Sequence, residues 1–402
     1  MTDRLTVSPR LQSLMSYRKF AGATPRILFL RSNYWIDGAC MNAARTLGWD
    51  FEESRVLLEG AMPRELIQQL LEKIAHFRPD MILSVNLSGM DAAGLFAGLF
   101  NDLAIPYATW FVDDPRTILM GRTRYGGPYS VAFSWERAYL PYLEACGFCE
   151  AHFIPLAVDG TVFNRPPLDS PSAPPTFVGS SMIGYAGREW QWFEGYPEWK
   201  VALEAAFDAG RITRANFAGG PAVLLGLDEA TVLDAEVSRH VELIAFIEGT
   251  RRLREDFVRA LAASGPLLLR GDADWAAYGL PTGLPVNYEE ELPDLYQNCA
   301  VNLNITSIQM PTALNQRNFD CPAAGGFLLT DRQGDLDELF DVDREVACYD
   351  DTASAAAMLQ YYLREPLLRR EIAGRARTRI LGEHTYAHRL QALVAVLRAR
   401  FA

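Results

Sequence analysis

The chain has 402 residues, 49% of them apolar and 22% charged, which is enough to bury a large core and excludes a disordered or low-complexity polypeptide. Its 38 Lys and Arg against 50 Asp and Glu give a net charge of −12, which argues against affinity built on nucleic-acid phosphates or anionic lipid. No apolar run reaches the roughly 20 residues of a membrane span, the N-terminus lacks a signal-peptide core, and six cysteines are too few for a disulfide scaffold, so the expectation is a soluble cytoplasmic protein of two domains.

In chain order, apolar runs predict strands at 26–31, 81–86, 107–112, 131–134 and 152–156. Between them 63–77 and 91–103 carry apolar residues at helical spacing, and 136–146 does so more weakly because Pro141 interrupts it. This alternation predicts a doubly wound parallel sheet covered by helices. Residues 165–175 then hold five prolines in eleven positions and predict the domain boundary. A second alternating unit starts at Phe177, with long helical regions at 188–209 and 227–263 and strands at 267–270, 284–287, 300–305, 326–330 and 345–349. The tail from Thr352 reads as two or three helices, one starting at Pro366.

Ligands of open parallel sheets bind outside the carboxyl ends of strands. In the first half those ends carry Arg31, Ser32, Asn33 and Tyr34, then Asn86 to Gly89, then Asp113, Asp114, Pro115 and Arg116. Paired carboxylates after an apolar strand suit a general base, with crowding raising one pKa, while Asp-Pro as a turn initiator is the competing reading. In the second half, Arg317 and Asp320 stand one helical turn apart after a strand that ends in polar residues. An Arg fork suits a diphosphate and a carboxylate suits ribose hydroxyls, although an i,i+3 ion pair on a solvated helix would share that spacing.

The run from Phe319 and Asp320 through Gly325 to Asp331, then Asp337, Glu338 and Phe340, then Tyr362 and Leu363, and Glu383 to Arg389, resembles the C-terminal half of the CgeB-like glycosyltransferases within glycosyl transferases group 1. Residues 106–115, 154–159, Val162 and Phe163 resemble the N-terminal domain that accompanies it. The resemblance implies an α/β GT-B fold of two Rossmann-like doubly wound domains facing a central cleft. It places an acceptor-side domain at 1–165, a linker at 166–175, a nucleotide-sugar domain at 176–385 and a C-terminal helix at 386–402. A Glu of the family holds the ribose hydroxyls where this chain has Asp320, and many retaining relatives carry another Glu where it has Thr312. Asn315, Gln316 and Arg317 resemble the Asn-x-Arg element of the group, making Arg317 the diphosphate contact.

By the same resemblance Gly179 and Ser180 form the first loop of the nucleotide domain, Val286, Asn287 and Tyr288 end the strand that leads to the base, and Arg270, Asn304 and Gly325 complete the donor-binding set. The implied reaction is metal-independent transfer of a sugar from a nucleoside-diphosphate donor, with a UDP-sugar favoured, to a hydroxyl of a protein or glycan. Asp113, Asp114 and Arg317 are the catalytic candidates, and no cofactor or metal is expected. A catalytically inactive GT-B module that binds a nucleotide or glycan in an assembly is the alternative. A GT-B epimerase or phosphorylase ranks below both, because lysine is scarce in the second half.

Several other signals are expected to be structural. Asp272 with Asp274, and Asp341 with Asp343, match a short metal-binding pattern outside its usual setting. His384 and His388 lack a zincin context, and Cys146 and Cys149 lack a second pair. Trp190, Trp192, Tyr196 and Trp199 are suited either to stacking on a sugar or to filling a core.

Overall fold

The computed structural model describes residues 7–31, 34–55, 64–228 and 230–402. The chain divides into two compact units, one of Met1–Asp159 with Thr385–Ala402 and one of Gly160–His384.

The first unit is a six-stranded sheet of order β2-β1-β3-β4-β5-β6, comprising β1 (Arg26–Arg31), β2 (Asp50–Arg55), β3 (Met81–Val85), β4 (Tyr107–Phe111), β5 (Gly127–Ser134) and β6 (Phe148–Phe153). Every pairing is parallel. The central strands β3 and β4 are buried along their whole length, which is why they read as continuous apolar runs. Two elements carried no comparable signal. The edge strand β2 is polar, Asp-Phe-Glu-Glu-Ser-Arg, and mostly unburied, whereas the helix Trp35–Thr46 buries small residues such as Ala39, Cys40, Ala43 and Ala44. Strand β6 starts at Phe148, four residues before the expected position. The last helix, Tyr386–Phe401, returns to this unit, where Arg389 Nε donates to the Pro155 carbonyl at 2.9 Å.

The second unit is a five-stranded sheet of order β11-β10-β9-β7-β8, again wholly parallel. Its strands are β7 (Thr176–Gly179), β8 (Leu268–Gly271), β9 (Asn302–Leu303), β10 (Leu328–Asp331) and β11 (Ala347–Tyr349). The crossover from β7 to β8 is an extended helical segment with its own apolar core, in which Phe193, Leu203, Phe217, Leu224, Val241 and Ile244 are buried. The expected helix 188–209 is two helices, Ile183–Trp192 and Pro197–Asp208, because Pro197 starts a new one. Expected strand 284–287 is irregular, with Leu284 80% exposed; Pro285 within it has no N–H to donate to a ladder, and Pro281 stands just before it.

The proline-rich segment 166–175 lies within the second unit. Its carbonyls and amides are satisfied there: Gln297 Nε2 donates to Pro166 O at 2.7 Å, Ser172 N donates to Asn298 Oδ1 at 3.0 Å, and Ala173 bridges Cys299. Proline stiffness therefore makes an extended strap along this unit, and the division of the chain falls at Asp159 and Gly160.

Candidate anion site at the sheet switch point

In the second unit the chain leaves β7 toward β8 on one side and returns to β9 on the other, so the carboxyl ends of β7 and β9 form the switch point where ligands of open α/β sheets bind. Gly179 ends β7 there, and Asn304 follows β9. Arg317, first residue of the helix Arg317–Ala323, lays its guanidinium beside Gly179, where an added Cβ would stand 3.3 Å from Nη2. Its Nη1 donates to Asn304 Oδ1. Asn304 is buried and fixed by its own Nδ2, which donates to Thr330 Oγ1 at 2.9 Å. Asn315 completes the brace, with Nδ2 donating to Asn304 Oδ1 at 2.8 Å and Oδ1 accepting from the Arg317 amide at 3.1 Å. Asn304, Asn315 and Arg317, three of the sequence candidates, thus form one hydrogen-bonded group.

A second arginine joins them that the sequence reading missed. Arg254, from the long helix Ala235–Ser264, is 7% exposed and donates through Nη1 to the Ser180 carbonyl at 2.7 Å. The guanidinium carbons of Arg254 and Arg317 stand 5.6 and 5.2 Å from the centroid of the same ring, Phe177. Among the described residues neither guanidinium meets a carboxylate within salt-bridge distance, and the Nε of each is buried without a partner. Nearby Asp331 is occupied, accepting from Arg214 at 2.6 Å and from Thr306 at 2.9 Å. Burial and the charge of Arg317 push the Arg254 pKa down to about 9. Asp272 and Asp331 act on Arg254 from a distance, but two partly desolvated cations without a carboxylate in salt-bridge contact make a place for an anion that offers several acceptor oxygens. The sequence hint lay in Arg254 itself, a cation on a mainly buried helix face.

The Gly179–Ser180 loop is organised differently from the expected phosphate cradle. Asp272 Oδ2 accepts from Ser180 Oγ and from Ser181 N, both at 2.7 Å, and Asp274 accepts from Gly184 N at 3.1 Å. The two carboxylates thereby take up the amides that a phosphate would use, which also gives the Asp-x-Asp pattern a structural role. No group of three or more potential metal ligands occurs among the described residues.

Asp320 is 1% exposed and accepts from Gln316 Nε2 at 2.7 Å and from Tyr288 OH at 2.6 Å, so these three candidates meet one another. Each carboxylate oxygen has a donor within the protein. Tyr288 also packs edge-on against Phe163, with ring centroids 5.1 Å apart. Asn287 instead starts the turn into the helix Leu292–Asn298: its Oδ1 accepts from the amides of Glu289 and Glu290 at 3.0 Å. Val286 lies in the irregular segment described above. Arg270 packs against Gly283, whose added Cβ would stand 2.5 Å from its Cδ. Gly325 follows the helix Arg317–Ala323 at φ +74° and precedes β10, at the amino edge of the sheet. A Cβ there would meet Pro166 C at 2.6 Å, so close backbone packing, and not a ligand, requires glycine.

In the first unit the switch point lies between β1 and β3. Ser32 and Asn33 fall outside the described residues. Asn86, after β3, donates through Nδ2 to Asp113 Oδ2 at 2.8 Å, and Tyr34 OH donates to the same oxygen at 3.0 Å. Burial raises the Asp113 pKa, Asp114 adds to the rise, and the two hydrogen bonds oppose it. Asp114 is a different kind of residue, 2% exposed, capping the helix Pro115–Leu119 through the Arg116 amide at 2.9 Å and ion-paired to Arg116 at 2.7 Å. Its oxygens are committed to the cap and the ion pair, which is the turn-initiating reading of Asp-Pro, and Asp113 is the differently placed member of the pair.

The aromatic cluster belongs to the core of the crossover segment: Trp192 stacks on Tyr196 at 4.4 Å and on His240 at 3.8 Å. His388 caps the last helix through Thr385, and His384 stands 6.1 Å from the Phe319 ring. Cys146 and Cys149 are free thiols. No helix among the described residues is long and apolar enough to cross a membrane.

Solved structures that share this architecture include the following three. The chain aligns with sucrose-phosphate synthase from Thermosynechococcus elongatus at 12% identity and TM-score 0.54, covering 94% of this chain and 99% of that one. It aligns with a glycosyltransferase from Rickettsia africae at 10% identity and TM-score 0.52, covering 94% and 99%. It also aligns with Anabaena HepE, solved in complex with UDP and glucose, at 13% identity and TM-score 0.54, covering 93% and 100%. The fold is therefore the two-domain α/β architecture of GT-B glycosyltransferases. Residues 251–395, which include Arg254, Asn304, Arg317 and Asp320, match the glycosyl transferase-like family model. No curated protein matches the chain in sequence.

Proposed function

We propose that the protein is a glycosyltransferase of the CgeB-like group that moves a hexose from a nucleoside-diphosphate donor to an acceptor hydroxyl without a metal. The observation that carries this reading is the pair Arg254 and Arg317, two guanidiniums without a carboxylate partner at the switch point of the second sheet. A donor diphosphate supplies the missing negative charge. As the bond from the anomeric carbon to the diphosphate breaks, charge grows on the departing phosphate, and fixed cations in a desolvated site stabilise that growth. Asn304 and Asn315 contribute by holding Arg317 in place before the ligand arrives. Tyr288, Gln316 and Asp320 form the adjoining polar group and are assigned to the nucleoside side of the donor. The acceptor is a protein or glycan hydroxyl in the cytoplasm, and a UDP-sugar is the first donor to test because HepE was solved with UDP and glucose.

The second reading, a catalytically inactive module that binds a nucleotide or glycan, draws on the Asp320 oxygens already paired within the protein. Incubation with UDP-glucose, with and without Mg²⁺, tests both readings when heat stability and UDP release are followed together. Stabilisation with metal-independent UDP release supports the transferase. Stabilisation without release under any acceptor condition supports the binding module, and no stabilisation by any nucleoside diphosphate refutes the transferase and the nucleotide-binding form of the module.

A further inference from the structure

Arg214 opens the short helix Arg214–Phe217 in the segment that crosses from β7 to β8. From there it reaches the carboxyl edge of β10, where its Nη2 donates to Asp331 Oδ2 at 2.6 Å and to the Thr306 carbonyl at 2.8 Å. The other oxygen of Asp331, Oδ1, accepts from the Thr306 amide at 3.0 Å and from the Thr306 hydroxyl at 2.9 Å. Thr330 Oγ1 also donates to Asp331, to its backbone carbonyl at 3.3 Å and to Oδ1 at 3.4 Å.

These bonds have a direction. A carboxylate held in an ion pair accepts and does not donate, so both threonine hydroxyls turn their protons to Asp331 and keep lone pairs for other donors. Asn304 Nδ2 supplies those donors, at 2.9 Å to Thr330 Oγ1 and 3.3 Å to Thr306 Oγ1. With Nδ2 fixed there, Asn304 Oδ1 faces the other way and accepts from Arg317 Nη1 and Asn315 Nδ2. Turned by 180°, the same buried amide would set N–H against the Arg317 guanidinium and its carbonyl oxygen against the hydroxyl lone pairs. The amide therefore has two arrangements, and Asp331 selects the one that can hold Arg317.

We infer that Arg214 and Asp331 are positioning residues of the anion site: their ion pair sets the two threonine hydroxyls, these set the Asn304 amide, and Asn304 keeps Arg317 beside Gly179. The effect on nucleotide binding rests on the proposed donor site. The crossover segment registers the same stretch a second time, because Thr250 Oγ1 accepts from the Ile308 amide at 3.3 Å and the Ile308 side chain lies where a Cβ on residue 249 would stand, which requires Gly249. Thr250 precedes Arg254 by four residues on the long helix Ala235–Ser264. Both cations of the site thus take their places from one crossover, Arg254 by belonging to it and Arg317 through Arg214 and Asp331.

The test is a double-mutant cycle on UDP binding, measured by calorimetry in the full chain. Arg214→Met and Asp331→Asn are each made alone and together with Arg317→Met. Arg214→Met leaves a buried carboxylate unpaired and can fail to fold, whereas Asp331→Asn keeps the shape, and either variant that folds decides. Each is expected to weaken UDP binding about tenfold when Arg317 is present and by less than about twofold when it is absent, since a residue that acts through Arg317 loses its effect with it. Equal losses in both backgrounds, or a lowered melting temperature with unchanged UDP affinity, overturn the inference. Arginine side-chain NMR asks the same question without nucleotide. The Arg317 Nη signals, assigned by their loss in Arg317→Lys, are expected to be separate in the wild type, where the bond to Asn304 hinders rotation, and to merge in the variants. Signals already merged in the wild type, or unchanged in the variants, overturn it. If the wild type binds no UDP, the donor-site reading fails separately, and the NMR arm decides the positioning by itself.

Discussion

Replacing Arg254 with Met separates a ligand site from a structural arginine, because the two roles predict opposite effects on the empty protein. Arg254 is 7% exposed and lacks a carboxylate partner, and burial together with Arg317 lowers its pKa to about 9. A depressed arginine pKa means that holding the charge in the folded state costs stability at neutral pH, and the cost fades only as pH rises above that value. Exchanging buried charges for apolar side chains of similar volume gains about 1–4 kcal/mol. Against this stands the bond to the Ser180 carbonyl at 2.7 Å, worth about 1.5–3 kcal/mol as a charged hydrogen bond. The two terms nearly cancel, so Arg254→Met is expected to match or slightly exceed the wild type in the absence of ligand. UDP at a hundred times its Kd adds about 2.7 kcal/mol to the wild type. Loss of one charged contact weakens binding by about tenfold to a hundredfold, and the same UDP concentration then adds only about 1.4 to 0.4 kcal/mol. Differential scanning fluorimetry reads both numbers, at roughly 2–4 °C per kcal/mol for a unit of this size. A variant that melts several degrees lower without ligand, yet keeps the full UDP increment, refutes the assignment of Arg254 to the anion site.

Arg317→Ala is expected to abolish measurable sugar transfer while circular dichroism and ligand-free melting stay close to the wild type; normal kinetics in this variant sinks its assignment to the diphosphate. Gly325→Ala is expected to cost about 1–3 kcal/mol, because φ is +74° and the new Cβ meets Pro166 backbone at 2.6 Å, while UDP affinity of the folded protein is unchanged in calorimetry. Glu248 is buried, which pushes its carboxyl up, but hydrogen bonds from Arg251 and Arg252, both at 2.7 Å, more than offset this and lower its pKa. The folded state therefore holds fewer protons on Glu248 than the unfolded chain. Its contribution is complete above the ordinary carboxylate range and is lost as pH falls through the folded value. Glu248→Gln is expected to lose about 1–3 kcal/mol at neutral pH and to flatten the acid limb of stability against pH, a difference that urea titrations at several pH values measure.

The strands of both sheets were legible in proportion to their burial. Tyr107–Phe111 and Met81–Val85 are covered on both faces and announce themselves as apolar runs, whereas Asp50–Arg55 is an edge strand whose exposed carboxylates resemble a loop. The false strand at 284–287 had the opposite problem: a short stretch with apolar residues that contains Pro285 and joins no sheet. Proline content pointed to a boundary at 165–175, whereas the chain divides at Asp159 and Gly160, because composition could not tell a free linker from a strap fastened to Asn298 and Cys299 within the second unit.

The sequence by itself determined the α/β class, the presence of two units, and the strand-end polar residues from which Asn304, Arg317 and Asp113 emerge, while Asn315 entered through the family resemblance. These follow from local periodicity and from the rule that polar residues closing a parallel strand face the ligand edge. The tertiary structure decided what each polar residue is occupied with. Asp113 and Asp114 are neighbours of identical chemistry, yet Asp114 is tied to Arg116 and a helix cap while Asp113 takes hydrogen bonds from Tyr34 and Asn86, 79 and 27 residues away in sequence. Arg254 reaches Ser180 across 74 residues and faces the same ring as Arg317. Such pairings depend on which strand ends the crossovers bring side by side, and no local pattern in the chain encodes them.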